Sequence, residues 1–283
     1  MPFADVDCVR LYYELDGGAD KPVVLQFGGS LFGRQNFHRV NDAFRREFRI
    51  LEFDMSGYGR SDQPLRDYAV EAWADEGAGL LDELGLDRVL VHGTSMGGMI
   101  TIAFAAKHPE RTIAACADCA LVRPDVARRL LMAHWRKAAQ CMTLDDLGSL
   151  LAMQSVSAEY IDTHPEAVAE TQTLIRRNSP FTITQACIAM ETLDLEPLLG
   201  GIRAPILFTH GTSDIQTPAD LGPSGYGTRR LLDVLPGARM HEFEDVGHAD
   251  LLERPDDAVR VVTAFFLECV ESDARTAAVE VAS

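Results

Sequence analysis

The sequence predicts an α/β fold: a mostly parallel central sheet with helices on both faces, interrupted by one helical insertion. Three observations carry this. Short apolar runs alternate with helix-patterned stretches up to Val122. That rhythm gives way to continuous helical patterning from Arg123 to Leu199, then resumes. The stretch "RVLVHGTSMGGMITIAFAAKHPER" (Arg88 to Arg111) sets an uncharged strand pattern and an uncharged helix pattern on either side of a glycine-flanked serine. Strands separated by helices of this length imply a parallel sheet covered on both faces.

Taken in order, "KPVVLQFGG" is an apolar strand run ending in glycines, and "FHRVNDAFRREF" has helical spacing. "RILEFDM" is the next strand, and "VEAWADEGAGLLDELG" the next helix, closed by Gly85. "DRVLVHGTS" is a strand, and "MGGMITIAFAAKHP" a helix stopped by Pro109. "RTIAACADCAL" reads as a buried strand. The insertion supplies four helical patterns: "PDVARRLLMAHWRKAAQ", "TLDDLGSLLAMQ", "HPEAVAETQTLIRRN" and "FTITQACIAMETL". After it come the strand "APILFTHGTSD", a helix near "GTRRLLDVL", the strand "ARMHEFEDVGH" and the helix "PDDAVRVVTAFFLECV". The tail "ESDARTAAVEVAS" is expected to fray. The domain reading is therefore a core of residues 1–122 and 200–283, with residues 123–199 inserted.

With 283 residues, 47% of them hydrophobic, the chain can bury one large core. A formal net charge of -17 argues against nucleic acid, whose phosphates need clustered Lys and Arg. From Val89 to Ala106 there is no charged residue, which is near the length of a membrane span. The glycines around Ser95 instead fit a strand entering a tight turn and leaving as a helix, so no membrane association is expected. "MPFADVDCVRLYYELDG" has no basic start followed by an apolar run, so no secretory signal is read there. The six scattered cysteines are expected to be reduced thiols in a cytoplasm. "CADC" (Cys116 to Cys119) has no second pair to complete a metal site. Residues three apart on a strand point to opposite faces, so both are expected to be core cysteines and no metal is expected. A small-molecule substrate is the expected partner, and the composition is compatible with a homo-oligomer.

Gly93-Thr94-Ser95-Met96-Gly97 is a G-x-S-x-G, the pattern that presents a serine on a strained strand-to-helix turn. Ser95 then sits at a helix start, with the Met96 backbone N–H free to stabilise an oxyanion. A serine hydroxyl needs a base, and the base an orienting carboxylate. Asp214 ends the strand in "FTHGTSDIQTP", and His248 ends that in "FEDVGHADLLERP". Asp194 and Glu196 are the alternative acids. His92 and His210 read as structural. Trp135, Met132, Met153 and Met190 either form an apolar ceiling over a substrate or pack within the insertion; Trp135 is the candidate substrate contact.

With the order Ser, Asp, His in place, the sequence resembles the α/β-hydrolase-fold enzymes over roughly Leu11 to Val270. "FDMSGYGRSDQP" is similar to that family's D-x-R-G-x-G-x-S loop, with Ser56 where Arg is usual. "QFGGSLFG" is similar to its H-G-x oxyanion loop, with Phe27 where His is usual. The resemblance implies Ser95 as nucleophile, Asp214 as acid and His248 as base. It implies Gly29 and Met96 as backbone oxyanion donors, with Ser30 the alternative to Gly29. The insertion resembles the helical cap of lactonase and esterase-like members such as 3-oxoadipate enol-lactonases. The implied function is cofactor-free hydrolysis of a small or medium ester, lactone or thioester through an acyl-enzyme. An acyltransferase or C–C bond hydrolase using the same triad, and a non-catalytic ligand receptor, are the other readings.

Overall fold

The computed structural model describes residues 2–281, with side chains described up to residue 276. Ten strands form: β1 (Phe3–Val6), β2 (Val9–Asp16), β3 (Val23–Phe27), β4 (Arg49–Asp54), β5 (Val89–Thr94), β6 (Thr112–Asp118), β7 (Leu121–Arg123), β8 (Ile206–Gly211), β9 (Tyr226–Gly227) and β10 (Ala238–Phe243). Eight of them make one sheet in the order β1-β2-β4-β3-β5-β6-β8-β10, and β7 pairs with β9 in a separate ribbon. β2 runs antiparallel to β1 and β4, while every pair from β4 to β10 is parallel. The helices are α1 (Asn41–Phe44), α2 (Val70–Leu84), α3 (Met96–Lys107), α4 (Val126–Cys141), α5 (Leu144–Ser155), α6 (Ala158–Thr163), α7 (Glu166–Ile175), α8 (Pro180–Glu191), α9 (Asp250–Glu253) and α10 (Pro255–Val281).

Two apolar cores flank this sheet. On one face α2 and α3 pack Trp73, Leu80, Ile102 and Phe104 against Leu25, Leu51 and Val91. On the other, α1 and α10 pack Phe44, Val262 and Phe266 against Val24, Ile50 and Leu90. Alternate residues of one strand thus enter different cores, as a pleat covered on both sides requires. The uncharged Val89–Ala106 stretch is β5 and α3, and every residue of it but Ser95 is buried. Among the described residues no helix is long and apolar enough to cross a membrane.

From β3 the chain moves to β4 on one side, then returns to β5 on the other side of β3. Open parallel sheets hold ligands at such a reversal, beyond the carboxyl ends of the strands. Phe27 of β3 pairs with Gly93 of β5, which brings the loops after these two strands together.

Several elements differ from expectation. "FHRVNDAFRREF" is α-helical only over α1: Phe37 ends a 3-10 helix, and residues 38–40 and 45–47 are turns. "GTRRLLDVL" is a 3-10 helix at Thr228–Asp233. The β1–β2 hairpin had no expected counterpart. The tail expected to fray continues α10 to Val281. Its Ala, Glu and Arg residues are good helix formers, and extending an existing helix needs no new nucleus.

Helices α4 to α8 lie between β7 and β8 and are tied to the loops of the sheet core by hydrogen bonds. Among them, Asn178 Nδ2 donates to the Leu31 carbonyl (2.5 Å), Thr182 Oγ1 to the Gly57 carbonyl (2.8 Å), and the Ala249 N–H to the Ser155 carbonyl (2.8 Å).

Candidate active site

Ser95 stands between β5 and α3 with φ 58° and ψ -122°, a conformation a side chain adopts only at a cost of about 1–2 kcal/mol. Its neighbours make the turn possible. A Cβ on Gly93 would lie 2.1 Å from the Gly97 carbonyl oxygen, and one on Gly97 1.9 Å from that of Phe27. Only glycine lets strand, turn and helix approach this closely. The Ser95 N–H donates to the Asp118 carbonyl (2.9 Å), which pins the turn to the end of β6. Met96 is the first residue of α3, so its amide has no acceptor within the helix.

The loops after β8 and β10 bring Asp214 and His248 together, with His248 Nδ1 2.9 Å from Asp214 Oδ2. The other oxygen, Oδ1, accepts the N–H groups of Gln216 (2.7 Å) and Thr217 (3.1 Å). Burial alone would push the Asp214 carboxyl up. The facing imidazole and the Thr217 amide outweigh it and hold the group at about 2. His210, four residues earlier, is buried with Nε2 2.6 Å from Thr228 Oγ1, and burial lowers it to about 4. It does not line the cavity shared by Ser95 and His248. Asp194 and Glu196 pair with Arg123 away from the cavity.

Ser95 and His248 both line one cavity of ≈80 Å³, although no hydrogen bond joins them in this structure. Such contacts are commonly long in free enzymes and tighten around substrate. The wall is mainly apolar: Leu31 and Phe32 after β3, Val156 and Leu174 from the helical segment, and Leu251 and Leu252 after His248. Asn36, Thr171, Glu170 and Gln216 add polar groups. Glu170 is paired with Arg39 at 2.7 Å. Leu31 and Phe32 fall within the oxyanion-loop stretch, and Gln216, Leu251 and Leu252 within the stretches around Asp214 and His248. The lining residues of the helical segment and Asn36 had no motif, because they face the cavity only through tertiary packing.

The structure decides several of these expectations, and Cys116 and Cys119 are both buried, as expected. Trp135 does not line the cavity; α4 turns it inward, its ring is buried, and Nε1 donates to Gln154 Oε1 (2.8 Å). Of the two readings of the methionines, the structure favours packing within the insertion for Met132 and Met190, and Met153 is exposed. The Gly29 N–H lies beside Ser95 but is not free, because it donates to Asn36 Oδ1 (2.8 Å). Cys119 is not on the strand with Cys116. β6 ends at Asp118, and Cys119 follows at φ 47°, so the two-face argument does not apply to it. Its Sγ clusters with Asp214 and His248, and Cys116 clusters with His92 and Asp118. Each group thus offers three ligand-type atoms, which spacing along the chain did not reveal. In both groups the His and Asp are already hydrogen-bonded to each other (2.9 and 2.7 Å). All six thiols are unpaired.

Beneath the site runs a second buried network. His92 sits among Phe37, Phe44 and Phe266 and holds Asp118 Oδ2 at 2.7 Å. Thr209 Oγ1 lies 2.7 Å from Asp118 Oδ1 and 3.1 Å from Asp250 Oδ2. One hydroxyl has one proton for two carboxyl groups, so the second contact needs a proton on Asp250. The electrostatics agree. Burial and then the Asp118 charge push Asp250 well above the usual carboxylate range. For Asp118, burial works upward, but His92, the Thr209 hydroxyl and the Cys116 thiol hold it low.

The folded state therefore binds a proton at Asp250 that the unfolded chain releases at about pH 4. Asp250 contributes stability that is fully present below that pH and is lost as pH rises. Asp250→Asn keeps the shape and can donate to Thr209 without titrating. It is expected to match the wild-type Tm near pH 4 and exceed it by several degrees at pH 8, as thermal melts at both pH values would show. An equal loss of Tm at both would mean that Asp250 is ionised in the fold.

Comparison with known proteins adds the family. A sequence profile of the Alpha/beta hydrolase family matches residues 27–261. A 2-hydroxy-6-oxononadienedioate/2-hydroxy-6-oxononatrienedioate hydrolase of Dechloromonas aromatica is 27% identical over 92% of this chain and 91% of its own. A pimeloyl-[acyl-carrier protein] methyl ester esterase of Aromatoleum aromaticum is 27% identical over 86% of this chain and 97% of its own. Among solved structures, the enol-lactonase of Burkholderia xenovorans LB400 superposes with a TM-score of 0.84 at 25% identity, covering 94% of this chain and 100% of that one. The strand order, the serine on its turn and the profile match converge: the chain belongs to the α/β hydrolase family, whose members similar to it are hydrolases.

Proposed function

We propose that the protein is a serine hydrolase of small, uncharged esters, lactones or thioesters, working without a cofactor in the cytoplasm. The observation that carries this is the pairing of His248 Nδ1 with Asp214 Oδ2 at 2.9 Å, beside a cavity that also exposes the strained Ser95. In this reading Asp214 holds the proton on Nδ1, which leaves Nε2 to take the Ser95 proton as Oγ attacks the carbonyl. The Met96 amide receives the oxyanion. The Gly29 amide joins it by exchanging Asn36 Oδ1 for the substrate oxygen, or the Ser30 amide serves instead. His248 then protonates the leaving group and activates the water that releases the acyl group. Helices α4 to α8 act as the lid (residues 123–199) that keeps bulk water out.

Wall chemistry favours this over C–C cleavage of the kind named for the Dechloromonas relative. A dienedioate carries two carboxylates, and among the described residues no Lys or Arg lines the cavity, while Glu170 does. A volume near 80 Å³ suits a short acyl group. Across a series of activated esters, kcat/KM is expected to peak between acetyl and butyryl and fall for longer chains. Turnover of dicarboxylic dienes exceeding that of every ester and lactone in the series would reverse the assignment.

A further inference from the structure

We propose that Thr217 is a positioning residue for the His–Asp pair, a fourth polar member of the site. This rests on the serine-hydrolase reading above. Thr217 is buried, and its hydroxyl sits where the chain segments after three strands meet. Oγ1 lies 2.5 Å from the Cys119 carbonyl, 3.0 Å from Asp214 Oδ2 and 3.1 Å from His248 Nδ1. Cys119 follows β6, Asp214 follows β8 and His248 follows β10. The hydroxyl has one proton, and the shortest contact, to a carbonyl that can only accept, takes it. The oxygen's lone pairs are then left for His248 Nδ1–H, since Asp214 Oδ2 has no proton to give. His248 Nδ1–H is shared between Asp214 Oδ2 and Thr217 Oγ1. A proton held by two acceptors stays on Nδ1, which is the tautomer that leaves Nε2 open. The same oxygen also faces the imidazolium that forms when the Ser95 proton is taken up.

Thr217 acts on the carboxylate through its backbone too, since its N–H donates to Asp214 Oδ1. Residue 217 thus fixes both partners of the pair, and substitution of its side chain isolates the hydroxyl's share. The bond to Cys119 adds a mechanical link. Cys119 adjoins Asp118, whose carbonyl accepts the Ser95 N–H. One chain of contacts therefore runs from the His–Asp pair to the serine turn.

Thr217→Val keeps the side-chain shape and removes the oxygen. It is expected to lower kcat by about 10- to 100-fold, the size of one hydrogen bond to a charged group, with KM little changed. Thr217→Ser restores the oxygen and is expected to recover most of kcat. In proton NMR the low-field resonance of the His248–Asp214 hydrogen bond should persist in Thr217→Ser and move upfield in Thr217→Val. If Thr217→Val does not fold, Thr217→Ala is scored by the same rule. A folded Thr217→Val with wild-type kcat and an unmoved resonance overturns the proposal, as does a Thr217→Ser variant as slow as Thr217→Val. Ser95→Ala, run alongside, separates the two levels. If it retains turnover, the serine mechanism itself fails; if it is dead while Thr217→Val is normal, only the role of Thr217 fails.

Discussion

Ser95→Ala is expected to lower kcat by about 10⁶-fold, or about 8 kcal/mol of transition-state stabilisation, the loss seen when a triad nucleophile is removed elsewhere. The substitution removes one oxygen from a turn built around it. Gly93 and Gly97 are already required by the approach of backbone to backbone, and the Ser95 N–H bond to Asp118 does not involve the side chain. The fold should therefore survive, and KM should change little because the cavity wall is intact. Ester turnover by the folded variant is the check. Activity within tenfold of wild type would mean that the reaction does not pass through Ser95.

Asp214→Asn should cost about 10⁴ in kcat. Its geometry makes the effect specific. The backbone N–H groups of Gln216 and Thr217 hold Oδ1, so the Asn carbonyl must occupy that position. The amide NH₂ then faces His248 Nδ1 and forces it to accept, which drives the proton to Nε2 and blocks the base. Unlike Ser95→Ala, this variant loses a carboxylate held at about 2. The stability that group supplies is present above its ordinary pKa of about 4 and is lost as pH falls toward 2. The variant should thus lose Tm at pH 7 but differ little from wild type near pH 2. Wild-type kcat in a folded Asp214→Asn would remove Asp214 from the mechanism.

What the sequence made legible was whatever depends on local pattern. The parallel sheet could be read because its strands carry short apolar runs such as Val23–Leu25 and Val89–Val91, separated by helix-patterned stretches. The Ser95 turn was visible because Gly93 and Gly97 must stand where backbones touch. Asp214 and His248 could be named because each follows a strand-patterned run, in the loops after β8 and β10. What depends on tertiary approach was not visible. Asn36 occupies the Gly29 amide because the loop after β3 folds back on itself at the Gly29–Gly33 bridge, which no motif announces. Trp135 could equally have faced either side of an amphipathic helix, and the packing of α4 decided it. Cys119 read as strand until its positive φ took it around the corner. The Thr209 bridge between Asp118 and Asp250 joins residues 41 and 91 positions apart, and no spacing rule reaches so far.

An activated phosphonate ester tests the central claim most directly. Its phosphorus takes the tetrahedral shape of the intermediate, so it should bond to the nucleophile with its oxygen toward the Met96 amide. Mass spectrometry of the digested protein should show one adduct per chain, on the peptide that contains Ser95. Ser95→Ala should take up none, and Asp214→Asn should react far more slowly. Labelling of another residue with Ser95 unmodified, or equal labelling of Ser95→Ala, would contradict a covalent Ser95 mechanism.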